Sequence, residues 1–351
     1  MTSQFDRVVA RPSDLTAAWL SRQIGAGTVL DFEVEPISTG LMSDCYRLRL
    51  DYARNPSNRP KPQSAVLKLA AEDPTSRQTG LALGFYEREV RFYRDLASRF
   101  DGQLVPCYDA ALDASTGTFH LLMGDAAPAV AGNDIQGATL DQARLALVTL
   151  GRIHGLLIGD SALSEFPWLN RNMPLTQALI SELYPGFLDR YGHNMLPGHR
   201  ALCDRVVATF HECRHVANEA DGPRMFGLVH GDYRLDNLLF GTTAERPLTV
   251  IDWQAVCWGP VMADLAYFLG CAISTEKRRK HYDTLLRAYH NALGAQSQIS
   301  LSDVYEGVRR RSPLCVARII ASAMLAGRTQ RGDTLIMAAL QRNCDHVLDI
   351  K

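Results

Sequence analysis

Leu228-Val229-His230-Gly231-Asp232-Tyr233-Arg234-Leu235-Asp236-Asn237-Leu238-Leu239-Phe240, with Leu248-Thr249-Val250-Ile251-Asp252-Trp253 shortly after it, is the stretch around which the chain is organised. Two apolar runs, 238–240 and 248–251, flank a polar turn containing Gly241, Thr242, Thr243 and Pro247. This pattern predicts two short strands of a hairpin. Pairing them sets Asn237, just before the first strand, beside Asp252 at the end of the second. Asp232 lies on the loop leading in, so three oxygen-bearing side chains converge at one edge.

That convergence has a chemical use. Mg²⁺ is a hard ion that takes a few protein oxygens and completes its shell with water and phosphate. The Asp252 carboxylate and the Asn237 amide oxygen suit it as metal ligands. A second carboxylate that does not ligate metal, Asp232, can orient an alcohol and accept its proton, which makes it the candidate catalytic residue. Asp-x-x-x-x-Asn followed by a strand-borne Asp is the layout of phosphoryl-transfer sites.

On these residues, His230-Gly231-Asp232 with Asn237 and then Ile251-Asp252-Trp253, the chain resembles the aminoglycoside phosphotransferase and choline-kinase-like superfamily. Protein kinases carry His-Arg-Asp and Asp-Phe-Gly at these points, and this chain does not. The run Asp232–Asn237 looks closest to the branch that includes kinase-like domains fused to acyl-CoA dehydrogenases and the ecdysteroid-kinase-like proteins. Motif matches extend from about Ile37 to Leu269. The resemblance implies a two-lobed, protein-kinase-like α+β fold. A small antiparallel-sheet lobe would span 1–123 and a larger, mainly helical lobe 124–351, with ATP and Mg²⁺ between them.

Bulk properties bound the function. At 351 residues the chain is long enough for two lobes, each with a core. Hydrophobic residues make up 46% and charged residues 21%, as in soluble globular proteins. A formal net charge of −1 gives no global steering toward nucleic acid or an anionic membrane. The eight cysteines contain no Cys-x-x-Cys pair, so free thiols in a reducing compartment are the expectation. Residues 1–10 show no signal peptide, and apolar runs such as Ile319–Ala326 are too short to span a bilayer. The cytoplasm is the simplest location.

Working outward on the N-terminal side, Ser13 is a plausible N-cap for a short helix ending near Ile24. Phe32–Val34 and Cys45–Leu50 read as strands. The turn between them, Ile37 to Asp44, would cover the nucleotide phosphates in a kinase-like fold, with Gly40 and Ser43 as contacts; an ordinary hairpin turn is the alternative. Ala65–Leu69 is a strand bearing Lys68, an apolar-strand lysine that is costly to bury unless paired. The resemblance implies that Lys68 grips the α- and β-phosphates and pairs with a helix glutamate. A helix from about Leu81 to Ser98 offers Glu87 and Glu89. Glu89 fits the Glu-x-x-Phe-Tyr pattern through Phe92-Tyr93, so it is assigned as the ATP-site partner. The strand Thr118–Met123 then leads to Gly124-Asp125. There the family's interlobe linker reads the adenine edge, which brings Met123 and Asp125 into the ATP site.

On the C-terminal side, Thr139 and Gln142 fit a capping box. Leu140, Ala143, Leu147, Leu150 and His154 share one helical stripe, with His154 read as a buried histidine satisfied by backbone. Trp168, Tyr184 and Phe187 are candidate acceptor-pocket aromatics, with helix packing as the alternative. Asp264 precedes Leu265-Ala266 and, with His230, is expected to support the catalytic loop; an N-cap role is open for it. The basic runs 277–280 and 309–311 read as solvated faces.

The expected reaction is ATP- and Mg²⁺-dependent phosphoryl transfer to a small-molecule hydroxyl, with no nucleic-acid partner. Two other classes stay open: a nucleotide-binding pseudokinase, and a kinase acting on protein. Segments 160–222 and 271–351 together hold 15 Asp/Glu and 18 Lys/Arg. A polycationic aminoglycoside needs many carboxylates to replace its water. The balance therefore points to a neutral or anionic alcohol with an apolar body, with aminoglycosides and amino alcohols as the alternative.

Overall fold

The computed structural model describes residues 8–39, 42–54, 61–100, 102–170, 175–325 and 327–350. It divides into two compact units. One comprises 1–128 together with 253–255, and the other 129–252 together with 256–351. The boundary thus falls a few residues beyond the linker expected at 123/124, and Trp253–Ala255 joins the first unit.

In the first unit, helix α1 (Ala17–Ile24) is capped by Thr16, whose hydroxyl accepts from the Trp19 N–H. Ser13 instead lies in a separate 3₁₀ turn, Pro12–Asp14. Strands β1 (Val29–Thr39), β2 (Ser43–Tyr52) and β3 (Ser64–Ala70) follow. Helices α2 (Pro74–Ala82) and α3 (Phe85–Arg91) come next, then β4 (Cys107–Asp113) and β5 (Thr118–Gly124). The strands form one antiparallel sheet in the order β1-β2-β3-β5-β4. Leu48, Leu50, Leu67, Leu69 and Leu122 pack there with Trp19 and Leu20 of α1. The single helix expected from Leu81 is two helices. Gly84, at φ 70°, breaks the chain between them, and α3 runs on through a π-turn, Phe92–Leu96. A left-handed residue cannot continue a right-handed helix, and glycine adopts it at little cost.

The second unit begins with β6 (Val130–Ala131) and α4 (Leu140–Leu157), which opens on the expected capping box. Helices α5 (Gln177–Tyr191), α6 (Pro197–Ala208) and α7 (Phe210–Asp221) form the insert. Strands β7 (Phe226–Val229), β8 (Leu238–Phe240), β9 (Leu248–Val250) and β10 (Cys257–Pro260) follow. Four helices close the chain: α8 (Met262–Cys271), α9 (Thr275–Leu293), α10 (Leu301–Leu325) and α11 (Gln330–Asp349). β8 and β9 pair antiparallel, Leu238 opposite Val250, as the hairpin reading requires. β10 pairs with β7, and β6 joins the edge of β8.

The insert helices pack on α10 and α11 through one apolar cluster containing Ile180, Phe187, Val206, Phe210, Val316, Ile319, Ile320 and Leu340. The two basic runs are ties between helices more than solvated faces. Arg310 and Arg311 both bind the buried Asp221 carboxylate, and Arg278 and Arg279 bind Asp349. A sheet-bearing lobe and a larger helical lobe make this the protein-kinase-like α+β fold. Among the described residues no helix is long and apolar enough to cross a membrane.

Candidate active site

The catalytic-loop candidates all lie in the second unit. β7 delivers the chain to His230, and Gly231 takes φ 80°, where a side chain is disfavoured. That turn aims two successive backbone N–H groups at Asp264 of α8: His230 N donates at 2.6 Å and Gly231 N at 3.0 Å. Asp264 therefore clamps the loop, and the helix N-cap position belongs to Val261. Behind it, His154 Nε2 lies 3.4 Å from Asp264, and His154 Nδ1 lies 2.8 Å from the Tyr289 hydroxyl. His154 is thus satisfied by side chains, not by backbone as expected. Its approach to α9 needs Gly151 and Gly155, because a Cβ at either would collide with an α9 backbone carbonyl. The His230 ring bridges the other way, 3.0 Å from the Ile251 carbonyl, and accepts from the Asp232 N–H.

Asp232 sits in a basic bracket. Its Oδ2 accepts from Arg234 Nε at 3.1 Å and Asn237 Nδ2 at 3.0 Å; its Oδ1 accepts from Arg318 at 2.7 Å. Burial alone would raise its pKa, but the charges of Arg234 and Arg318 outweigh burial and hold it below the usual carboxylate value. Arg234 also binds Asp134 and Asp236, and Asp134 accepts from the backbone N–H groups of Leu235 and Asp236. Burial raises the Asp134 pKa, and the Arg234 charge opposes that rise. Arg318 reaches in from α10 and lies over the Tyr267 ring at 4.2 Å. Sequence reasoning missed Asp134, Arg234, Arg318 and Tyr267. Only Arg234, two residues from Asp232, carried a local signal.

Asn237 and Asp252 are brought together as the hairpin demanded, since the Ile251 N–H donates to the Asn237 carbonyl at 3.1 Å. Asn237 donates its amide nitrogen to the Asp232 carbonyl and carboxylate, which leaves the amide oxygen as the end available to a cation. Asp252 has φ 66°, a left-handed conformation that aspartate tolerates better than most residues. Among the described residues no group of three or more His, Cys, Asp or Glu could hold a metal ion. One amide and one carboxylate fit Mg²⁺ when phosphate oxygens and water supply the rest of its shell.

The remaining candidates belong to the first unit. Lys68 Nζ lies 2.8 Å and 2.6 Å from the two Glu89 oxygens, with both side chains buried. Glu89, not Glu87, is the partner. One turn on, Phe92 stacks on the fully buried Trp253 ring at 4.0 Å, so the Glu89 helix and the residue after Asp252 share one apolar anchor. Ser43 is buried at the start of β2; Gly40 lies outside the described residues. Met123 is buried on β5, and Gly124 N donates to the Pro106 carbonyl. Asp125 binds Arg47 at 2.7 Å and Ser64 at 2.8 Å, which pins the linker to β2 and β3.

The candidate acceptor-pocket aromatics are buried. Phe187 is fully buried in the helical core, Tyr184 packs beside it with its hydroxyl on Asp204, and Trp168 is buried as well. Their large rings are worth most to the interior, and packing is the role the burial supports.

Comparison with known proteins relates part of the chain to a kinase-like family and its fold to solved structures. Residues 168–300 match the ecdysteroid kinase-like family. The chain is 33% identical to acyl-CoA dehydrogenase family member 11 of Gallus gallus over 136 residues, 33% of this chain and 17% of that protein. Across the first curated relatives the matched share is between 5% and 38% of their length, so the chain spans well under half of each. Among solved structures, the Plasmodium vivax ethanolamine kinase superposes with a TM-score of 0.54 at 12% identity, covering 97% of this chain and 90% of that one. The GDP complex of aminoglycoside 2'-phosphotransferase-IIIa gives 0.54 at 14% identity, covering 93% and 96%. These structural likenesses establish the shared fold.

Proposed function

We propose that this protein is a small-molecule kinase that transfers the γ-phosphoryl group of ATP to a hydroxyl of a neutral or anionic alcohol with an apolar body. The observation that carries the reading is the bonded set Asp232–Asn237–Ile251, which joins a proton-accepting carboxylate to the candidate metal pair within one loop and hairpin. The acceptor hydroxyl gives its proton to Asp232 while its oxygen bonds the γ-phosphorus. The bond from that phosphorus to the β–γ bridging oxygen breaks, and ADP leaves. Asp264 keeps the loop in register, and Asn237 holds the Asp232 carboxylate in orientation. Lys68, fixed by Glu89, binds phosphate oxygens. Mg²⁺, when bound, neutralises phosphate charge; Asn237 and Asp252 are the residues that would hold it. Catalysis on this scheme is positioning and charge neutralisation.

The test is γ-labelled ATP with Mg²⁺ and a cell metabolite pool, resolved into protein and small-molecule fractions. Label in the small-molecule fraction is the expected result. Label in protein, or none above buffer, overturns the reading. A panel of aminoglycosides, choline-like amines and apolar alcohols then tests the acceptor class by kcat/KM. Efficient turnover of kanamycin-type substrates with none of the apolar alcohols rejects it.

A further inference from the structure

We infer that Arg318 is a specificity-determining residue of the acceptor site, presenting a fixed positive charge beside Asp232 that selects acceptors ending in an anionic group and turns away cationic ones. The inference rests on the phosphotransfer reading and deepens it.

Three observations converge on this residue. The first is its position. Asp232 is the proton acceptor, and Arg318 is 2.7 Å from its Oδ1, so a hydroxyl reaching Asp232 arrives next to a guanidinium. The second is its unused capacity. A guanidinium has five N–H donors. Among the described residues, Asp232 is the one hydrogen-bond acceptor that Arg318 has, and its side chain remains 34% exposed. Several donors in a planar fork are therefore open to a second anion, and such forks match carboxylate and phosphate oxygens. The third is rigidity. The side chain lies over the Tyr267 ring at 4.2 Å, and its neighbours Val316, Ala317, Ile319 and Ile320 are buried in the cluster that also holds the insert helices. The charge thus stands on a packed helix, α10, and does not sway on a loop.

For a cationic alcohol the same features are adverse. Arg234 and Arg318 already offset the Asp232 charge, so Asp232 can still take a hydroxyl proton but offers an incoming ammonium little net attraction, and the ammonium meets a like charge. Arg234 does not supply the selectivity, because Asp134 and Asp236 already neutralise it.

The experiment uses the full chain with Mg·ATP and three probe alcohols that share one decyl chain and end in carboxylate, hydroxyl or ammonium. Wild type should favour the carboxylate over the ammonium by about ten-fold or more in kcat/KM, a difference of about 1.4 kcal/mol. In Arg318→Gln the ratio should fall toward one, mainly through KM for the carboxylate. Arg318→Lys, which keeps the charge, should retain most of it and guards against a folding defect in the Gln variant, which melting curves would reveal. Equal turnover of the two probes by wild type, a preference for the ammonium, no turnover of any of the three, or an unchanged ratio in a folded Arg318→Gln overturns the inference. Label transfer to the metabolite pool without a charge preference rejects this inference alone; no transfer at all rejects the phosphotransfer reading with it.

Discussion

Replacing Asp232 by Asn keeps the side chain's size and removes the charge that, on the proposed mechanism, accepts the acceptor's proton. The proposed metal pair, Asn237 and Asp252, keeps its ligand atoms, since an asparagine oxygen at 232 can still accept from the Asn237 amide. Asp232→Asn should therefore bind Mg·ATP nearly as wild type while kcat drops by ~10²–10⁴-fold, the usual scale for losing a general base. Asp252→Ala should do the reverse, with Mg·ATP affinity collapsing in isothermal titration. Equal loss of Mg·ATP binding in the two variants would show that the roles are misassigned. Lys68 and Glu89 make a second residue-level case. Their ion pair is buried, so either partner alone leaves an uncompensated charge. Loss of either should raise the ATP KM or lower kcat, and the double variant should be no worse than the worse single one. Additive losses in that cycle would mean that the two act separately.

At the scale of elements, helices are tied by buried ions as well as apolar packing. Asp221, at the end of α7, is 2% exposed and binds both Arg310 and Arg311 of α10. Asp221→Ala would leave Arg311 buried without its partner, at a cost of about 3–5 kcal/mol. Urea unfolding should show it; a loss near the ~1 kcal/mol of an exposed pair would mean that α10 relaxes to rehydrate its arginines. This tie also marks what could be read from the sequence. Features set by neighbouring residues were legible: the β8–β9 hairpin, the Thr139–Gln142 capping box, and Glu89 three residues before Phe92-Tyr93. Gly84 was a readable break that the apolar period of Leu81–Ser98 concealed. Contacts set by tertiary packing were not legible. Arg318 meets Asp232 across 86 residues, and Arg234 meets Asp134 across 100. No local pattern separates such arginines from solvated ones, which is why the basic runs read as surface.

At the scale of the whole molecule, nucleotide and metal should act as one ligand. On the proposed function, Asn237 and Asp252 offer few side chains to Mg²⁺ itself, and Lys68 would offer its charge to phosphates. Neither component alone would then satisfy the residues proposed to bind both. A ligand that binds only the native state stabilises it by about 2.7 kcal/mol at a hundred times its Kd. For units of this size that corresponds to a rise in Tm of roughly 5–10 °C, since each kcal/mol moves Tm by roughly 2–4 °C. Mg·ATP should produce that rise in a thermal melt, and excess EDTA should cancel most of it. The shift should be small in Asp252→Ala and preserved in Asp232→Asn, which ties the thermal measurement to the titration above. If ATP with EDTA stabilised wild type as strongly as Mg·ATP, Asn237 and Asp252 would not be serving a metal. Their convergence at the hairpin edge would then need another explanation, such as direct positioning of the Asp232 loop through the Asn237 amide.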